Sequence, residues 1–209
     1  MSDANPRRRG RPRTFDREGA LVVAMREFWE RGFEPVSIAE LTAAMGITPP
    51  SLYAAFGDKK TLFREVVDRY QQTHGAFFGA ALDAEASARE GVARALHTAA
   101  VEYTRPHRPA GCLVISAAVN CTATSTDMVT LLRERRAANV AALRDRIEAD
   151  VAAGVLPMGT DCAGLAALVG AVLQGMSQQA RDGASTAELH AVADAAMLAW
   201  PADGTATAT

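Results

Sequence analysis

Two short capped helices, Ser37 to Gly46 and Thr48 to Gly57, constrain this chain more than any other stretch. Ser37 and Glu40 form a Ser-x-x-Glu capping box, which satisfies orphan amides at a helix start. Ile38, Leu41 and Met45 then follow on one face, and Gly46 stops the helix. Thr48 caps the next one, with Pro49 at its first position, where no backbone donor is missed. Helical spacing turns Leu52, Ala55 and Phe56 inward and leaves Pro50, Ser51, Tyr53 and Ala54 outward. Gly57 ends this second helix and Asp58 caps another. Two short helices joined by a tight turn containing glycine, the second with small polar and aromatic residues outside, read as a helix-turn-helix.

The segment SIAELTAAMGITPPSLYAAFGDKKTLF resembles the DNA-binding domain of TetR-family transcriptional regulators. That family's pattern has a Leu-Tyr pair in the recognition helix, then a Phe, then a Lys opening helix four. Leu52, Tyr53, Phe56 and Lys59 stand at those positions. The resemblance runs without gaps from about Phe15 to Phe63, under a third of the chain. It departs at Pro49 and Pro50, where members often carry Lys and Gly, and at Ala54, where His or Tyr is common. These departures bear on base preference.

The resemblance implies an all-α homodimer, with an N-terminal three-helix DNA-binding domain followed by a helical effector-binding and dimerisation domain. It implies a repressor whose effector moves helix four and changes the separation of two recognition helices. Those helices must lie about 34–36 Å apart to enter successive major grooves. Family positions place phosphate contacts at Lys59 and Ser37, with Lys60 adding charge; exposed donors at helix starts suit anions. Base readout falls to Thr48, Pro50, Ser51, Tyr53 and Ala54. Pro50 and Ala54 offer apolar contact to a thymine methyl, and Tyr53 offers either a ring to that methyl or a hydroxyl to phosphate.

A net charge of −2 is unpromising for a nucleic-acid binder, but its distribution is not. Residues 1–60 hold 10 Lys and Arg against 8 Asp and Glu, leaving 12 against 16 for the rest. Within residues 7–13 there are five Arg and no acid. Residues 1–13 lack apolar periodicity and are expected to be a disordered basic arm, with Arg11 and Arg13 reaching a phosphate or the minor groove. A plain solvated tail is the alternative.

The longest apolar run, Ala163 to Leu173, has 11 residues, whereas a membrane span needs about 20. No apolar segment with a cleavage site follows the basic N-terminus, so a cytoplasmic location without a secretory signal is expected. Three cysteines, an odd number, argue for reduced thiols.

Periodicity predicts a first helix over Asp16–Arg31, with Leu21, Met25 and Phe28 inward. A long fourth helix is expected from Asp58 to about Gly79, striped by Leu62, Val66, Tyr70 and, alongside, Phe63, Val67 and His74. Further helices are predicted at Ser87–Tyr103, Cys112–Cys121, Asp127–Ala153, Asp161–Arg181 and Thr186–Ala199. Thr126, Thr160 and the Ser185–Glu188 box are read as their caps. This divides the chain into an arm (1–13), a helix-turn-helix domain (14–60), an effector and dimerisation domain (61–200) and a disordered tail (201–209). The Asp161–Arg181 helix is apolar almost all round, hence buried on more than one side. With the amphipathic last helix it supplies the dimer interface that the resemblance implies, through Leu165, Leu168, Val172, Leu189 and Val192. Intrachain core is the other reading of those residues.

No enzyme constellation is present: there is no phosphate loop, no His-Glu-x-x-His and no Cys-x-x-Cys, and no metal or cofactor is expected. An effector cavity is expected between Tyr70, His74, Phe77 and Phe78 on the fourth helix and His97, Tyr103, Met128 and Leu132 on later ones. No cluster of acids or bases joins them, so a small, mostly apolar, neutral effector is expected. If Cys112 and Cys121 share one helix, their thiols lie on opposite faces about 13 Å apart, too far for a disulfide. A thiol-based redox or metal sensor using Cys112, Cys121 or Cys162 and a ligand-independent architectural DNA-binding protein are the alternatives. The continuity of the fourth helix across both domains favours the effector-controlled regulator.

Overall fold

The computed structural model describes residues 15–201, and among them every regular element is helical. Arg11 and Arg13, with the rest of the basic arm, lie outside the described residues, as do residues 202–209. Helix α1 (Arg17–Arg31) starts where the Asp16 carboxylate accepts the Gly19 N–H at 2.9 Å. It stops at Gly32, whose φ of 89° suits glycine alone. α2 (Ile38–Met45), α3 (Pro49–Phe56) and α4 (Lys59–Gln72) follow. α1 packs on α4 through Phe28, which meets Phe63 edge-on with centroids 5.1 Å apart. Aromatic pairs of this kind add about 0.5–1.5 kcal/mol beyond their area burial.

α4 stops at Gln72, short of the Gly79 expected from its apolar stripe. The Thr73 hydroxyl bonds back to the Arg69 carbonyl at 2.7 Å, and the Gly75 N–H turns to the Tyr70 carbonyl at 2.8 Å. That wide turn is tight at Gly75, where a Cβ would sit 3.1 Å from the Tyr70 ring and push it aside by a few tenths of an ångström. The chain restarts as α5 (Phe77–Ala84). A rod and a turn therefore replace the single long helix that the sequence suggested.

α6 (Ala88–Tyr103) opens on a second capping box, Ser87 with Glu90. The helix expected over Cys112–Cys121 is a single turn, α7 (Leu113–Ser116). Tertiary hydrogen bonds at both ends cut it short: Cys112 N–H donates to Ser177 Oγ at 2.9 Å, and the Ala117 carbonyl accepts the Phe33 N–H at 2.6 Å. The thiol separation argued from one continuous helix thus has no basis. α8 (Thr126–Ala152), α9 (Cys162–Arg181) and α10 (Thr186–Met197) complete the fold. Thr126 and Thr160 are not caps. The Thr126 hydroxyl bonds the Ala123 carbonyl, and Asp161 caps α9 by accepting the Gly164 N–H at 2.9 Å. The Ser185–Glu188 box forms as expected.

α6 lies among α5, α9 and α10, while α8 runs along α9. α7 touches α1 and α4 as well as α8 and α9, so it is the wedge between the two halves. Arg181, the last residue of α9, donates to the carbonyls of Trp29 and Glu30 at 3.2 and 3.1 Å. A cation on the last carbonyls of α1 suits the negative end of that helix.

The tightest joint is Gly111, with φ +73° and a would-be Cβ 2.6 Å from the Ser177 carbonyl oxygen of α9. Gly111→Ala should cost more than the roughly 1–2 kcal/mol of a left-handed alanine, because α9 backbone must also move. Gly154 has a similar φ of +75° and nothing within 4 Å. In urea unfolding, Gly154→Ala should show the conformational cost alone.

Candidate nucleic-acid interface and ligand cavity

The helix-turn-helix is fixed by local chemistry. The Ser37 hydroxyl accepts from the Glu40 N–H, and the Glu40 carboxylate takes the Ser37 N–H at 2.7 Å. Those Ser37 hydrogen bonds, with Arg31 beside them, hold Glu40 at a pKa of about 2. Gly46 adopts the left-handed conformation that ends α2, and the Ile47 N–H returns to the Thr42 carbonyl at 3.0 Å. Thr48 caps α3, its hydroxyl also 2.9 Å from that of Ser51. Leu52 and Phe56 are buried, whereas Pro50, Ser51, Tyr53 and Ala54 face outward; Tyr53 is 50% exposed.

Long-range cations then lock the unit. Arg17 pairs with Glu65 at 2.7 Å, reaches the Ala55 carbonyl at 3.3 Å, and lies 4.6 Å over the Phe56 ring. It joins α1, α3 and α4 in one contact set. Arg31 bridges Glu27 and Glu40, tying the end of α1 to the start of α2.

Lys59 and Lys60, expected at phosphates, are engaged within the chain. The half-buried Lys59 ammonium donates to the Glu34 carbonyl at 3.2 Å and sits 4.4 Å over the Phe33 ring. Lys60 donates to Asp127 at 2.8 Å and to the Thr124 carbonyl at 2.9 Å, and Arg64 joins the same carboxylate at 3.1 Å. These two cations pin α4 to the start of α8.

Beside the lower end of α4 lies a cavity of about 290 Å³. Tyr70, Phe77, Phe78 and Tyr103 of the expected set line it, with Leu143, Ala166 and Leu173 opposite. Four of the expected residues lie off its wall. Met128 and Leu132 are fully buried in the core, the former at 0% exposure. His97 faces out, 2.9 Å from Asp194, with its ring 4.9 Å from the tilted ring of His190. His74, past the end of α4, turns to Arg108, which donates to its Nδ1 at 2.9 Å. Burial, then the Arg108 charge, push its pKa down.

Against the expectation of an uncharged wall, Arg136 lines the cavity too, together with Asn139 and Gln174. It occupies the fourth-residue step of the stripe Met128, Leu132, Arg136, Val140, which is the signal that spacing offered.

Cys112 is on the wall as well, beside the hydroxyls of Tyr70 and Tyr103. Burial pushes its thiol up, and burial likewise raises both tyrosines well above their ordinary range. Such a thiol stays protonated, the inert form rather than the thiolate a redox sensor needs. Burial raises Cys121 also, and Cys162 Sγ contacts the Thr160 carbonyl at 3.5 Å. Among the described residues no group of three His, Cys, Asp or Glu side chains is arranged to hold a metal, and no helix is long and apolar enough to cross a membrane.

On the far face of α9, Leu168 is 39% exposed and Leu165 and Val172 are half-buried, as is Val192 on α10. Leu189, expected beside them, is fully buried within its own chain and so is core rather than interface.

Residues 20–66 match the model for bacterial regulatory proteins of the tetR family, and residues 91–196 match a tetracyclin repressor-like C-terminal domain. The HTH-type transcriptional repressor ComR of Escherichia coli (strain K12) is 37% identical over 195 residues, 92% of either chain. The HTH-type transcriptional repressor BdcR of the same strain is 41% identical over 106 residues, 51% of this chain and 54% of that protein. Among solved structures, a cysteine mutant of the TetR family transcriptional regulator CifR, complexed with 26-bp double-strand operator DNA, superposes with a TM-score of 0.87. It is 44% identical, and the match covers 92% of this chain and 100% of that one.

The capping box carries a pH signature. Glu40 is held at about 2 against an ordinary 4.5, so its stabilisation is full above about pH 4.5 and lost as the pH falls towards 2. The melting-temperature gap between the parent and Glu40→Gln should therefore be widest near neutral pH and narrow steadily below about pH 4.5. A gap that does not change with pH contradicts the assignment.

Proposed function

The chain belongs to the TetR family of transcriptional regulators, and we propose that it is a homodimeric repressor, released from its operator when a small, mostly apolar effector fills the cavity beside α4. As a member of that family it is a DNA-binding regulator and not an enzyme. Repression is supported by the names of two relatives, and operator contact by the DNA in a solved one. Work on operator DNA puts the protein in the cytoplasm.

One observation carries the mechanism: α4 belongs to both sites. Near its start Phe63 is packed between Phe28 and Phe33, and near its end Tyr70 is cavity wall. The seven residue steps from one to the other span about 10 Å of continuous helix. A ligand pressing on Tyr70 displaces the same rod that seats α3. Coupling of about 1–3 kcal/mol gives a 5–150-fold change in operator affinity.

The base-reading face is that of Thr48, Pro50, Ser51, Tyr53 and Ala54. Pro49 and Pro50 bring no N–H, so the start of α3 lacks donors that a phosphate would use. Phosphate contact therefore falls to Arg11 and Arg13 of the arm and to the start of α2 at Ser37, whose N–H and hydroxyl must first leave the Glu40 carboxylate. Lys59 and Lys60 reach DNA only by leaving Glu34 and Asp127. Dimerisation uses the outward Leu165, Leu168 and Val172 of α9 with Val192 of α10.

The test is operator binding by Tyr53 variants, using a site selected from a random duplex pool. Tyr53→Ala should lose about 1–3 kcal/mol, the worth of a good base contact, without loss of helical content. Tyr53→Phe separates ring from hydroxyl. Full affinity in Tyr53→Ala takes Tyr53 out of the interface.

A further inference from the structure

We propose that the effector is a monocarboxylate with an apolar body, its carboxylate bound by Arg136 at the cavity mouth. This rests on the proposed effector role of the cavity and names the chemistry of its ligand.

Arg136 is half-buried on α8 and donates to the Val114 carbonyl at 2.6 Å. No carboxylate of the described residues pairs with it; its titratable neighbours are the Cys112 thiol, which favours the guanidinium charge only when ionised, and another cation, Arg133. Burial first, and then Arg133, work against its charge. A guanidinium drawn from water beside a like charge is costly unless an anion answers it. Arg108, another half-buried arginine described above, differs in having a carboxylate, that of Glu102, to answer its charge.

Its position gives the missing anion an address. Arg136 lines both the apolar cavity and an open groove of about 440 Å³ that carries Arg133 and Arg144. Val140, Ala166 and Gln174 are shared by the same two spaces. Arg144 is answered by Asp145 and Glu148, at 3.0 and 3.4 Å, whereas Arg133 has no ion pair among the described residues. The inner space is walled by Tyr70, Phe77, Phe78 and Tyr103, which suit a ring or short chain. At the mouth, the fork of one guanidinium matches two carboxylate oxygens, and the Gln174 amide adds a donor. The charge on the ligand revises the neutral effector that the sequence suggested.

The experiment is titration calorimetry of the full chain with 4-phenylbutanoate and with the isosteric neutral 4-phenylbutanamide. The acid should bind at least about tenfold tighter than the amide. That preference should vanish in Arg136→Gln, which keeps a donor for Val114, and persist in Arg136→Lys, which keeps the charge; melting curves establish that both fold. Equal binding of acid and amide overturns the carboxylate site while leaving the cavity as an apolar ligand site. An acid preference that survives Arg136→Gln overturns the assignment to Arg136. If neither probe binds at millimolar concentration, the proposal falls together with the cavity's role. Acid binding through Arg136 without any change in operator affinity upholds the carboxylate site and removes its effector role.

Discussion

The ring of Tyr70 lies edge-on to Trp29 with centroids 4.9 Å apart, both side chains buried, and this contact joins the two halves of the molecule. Trp29 belongs to α1, whose other face holds Phe28 in the core of the helix-turn-helix. Tyr70 belongs to α4 and forms part of the cavity wall. Interiors this closely packed do not absorb a displacement locally. A shift of Tyr70 is therefore passed to α1 and α4 together, and α3 rests on both through Phe56 and Arg17.

Cations reinforce the joint from both sides. Arg181 on the last carbonyls of α1 ties the end of α9 to the DNA-binding half, and Lys60 and Arg64 converge on Asp127 at the start of α8. The latter pairs are exposed, so each contributes only about 0–1 kcal/mol. Their value is positional: they fix the angle at which α4 meets the second half without making the interface too strong to shift. The apolar core beneath supplies the stability, and the ion pairs supply the register.

The parts of this architecture legible in the sequence are those set by neighbours along the chain. The Ser37–Glu40 and Ser185–Glu188 boxes, the stops at Gly46 and Gly57, and the inward Leu52 and Phe56 each depend on residues within one or two turns. The caps misread at Thr126 and Thr160 are local slips of one residue, and the larger failures are tertiary. Phe77 and Phe78 continue the helical spacing of Tyr70, so periodicity alone runs α4 past Gln72; the Gly75 turn against the Tyr70 ring breaks it. The helix after Cys112 is cut by Phe33 and Ser177, which bond Ala117 and Cys112 from 84 and 65 positions away. Which aromatics face the cavity depended on that break: it brings Phe77 and Phe78 to the wall and turns His74 away to Arg108. Arg136 was visible as a charge in an apolar stripe, but only the fold reveals that no carboxylate among the described residues meets it.

The central claim is that filling the cavity moves α4 and so weakens the grip on DNA, and it is testable without knowing the natural effector. Ile115, on α7, lines the cavity and is half-buried, and Ile115→Trp would fill part of the space with indole. The direct measurement is the operator affinity of that variant at fixed ionic strength, by fluorescence anisotropy. A fall of about 5–150-fold, with melting temperature and helical content kept, is the predicted result. Unchanged affinity in a folded variant whose crystal structure places the indole in the cavity would contradict it.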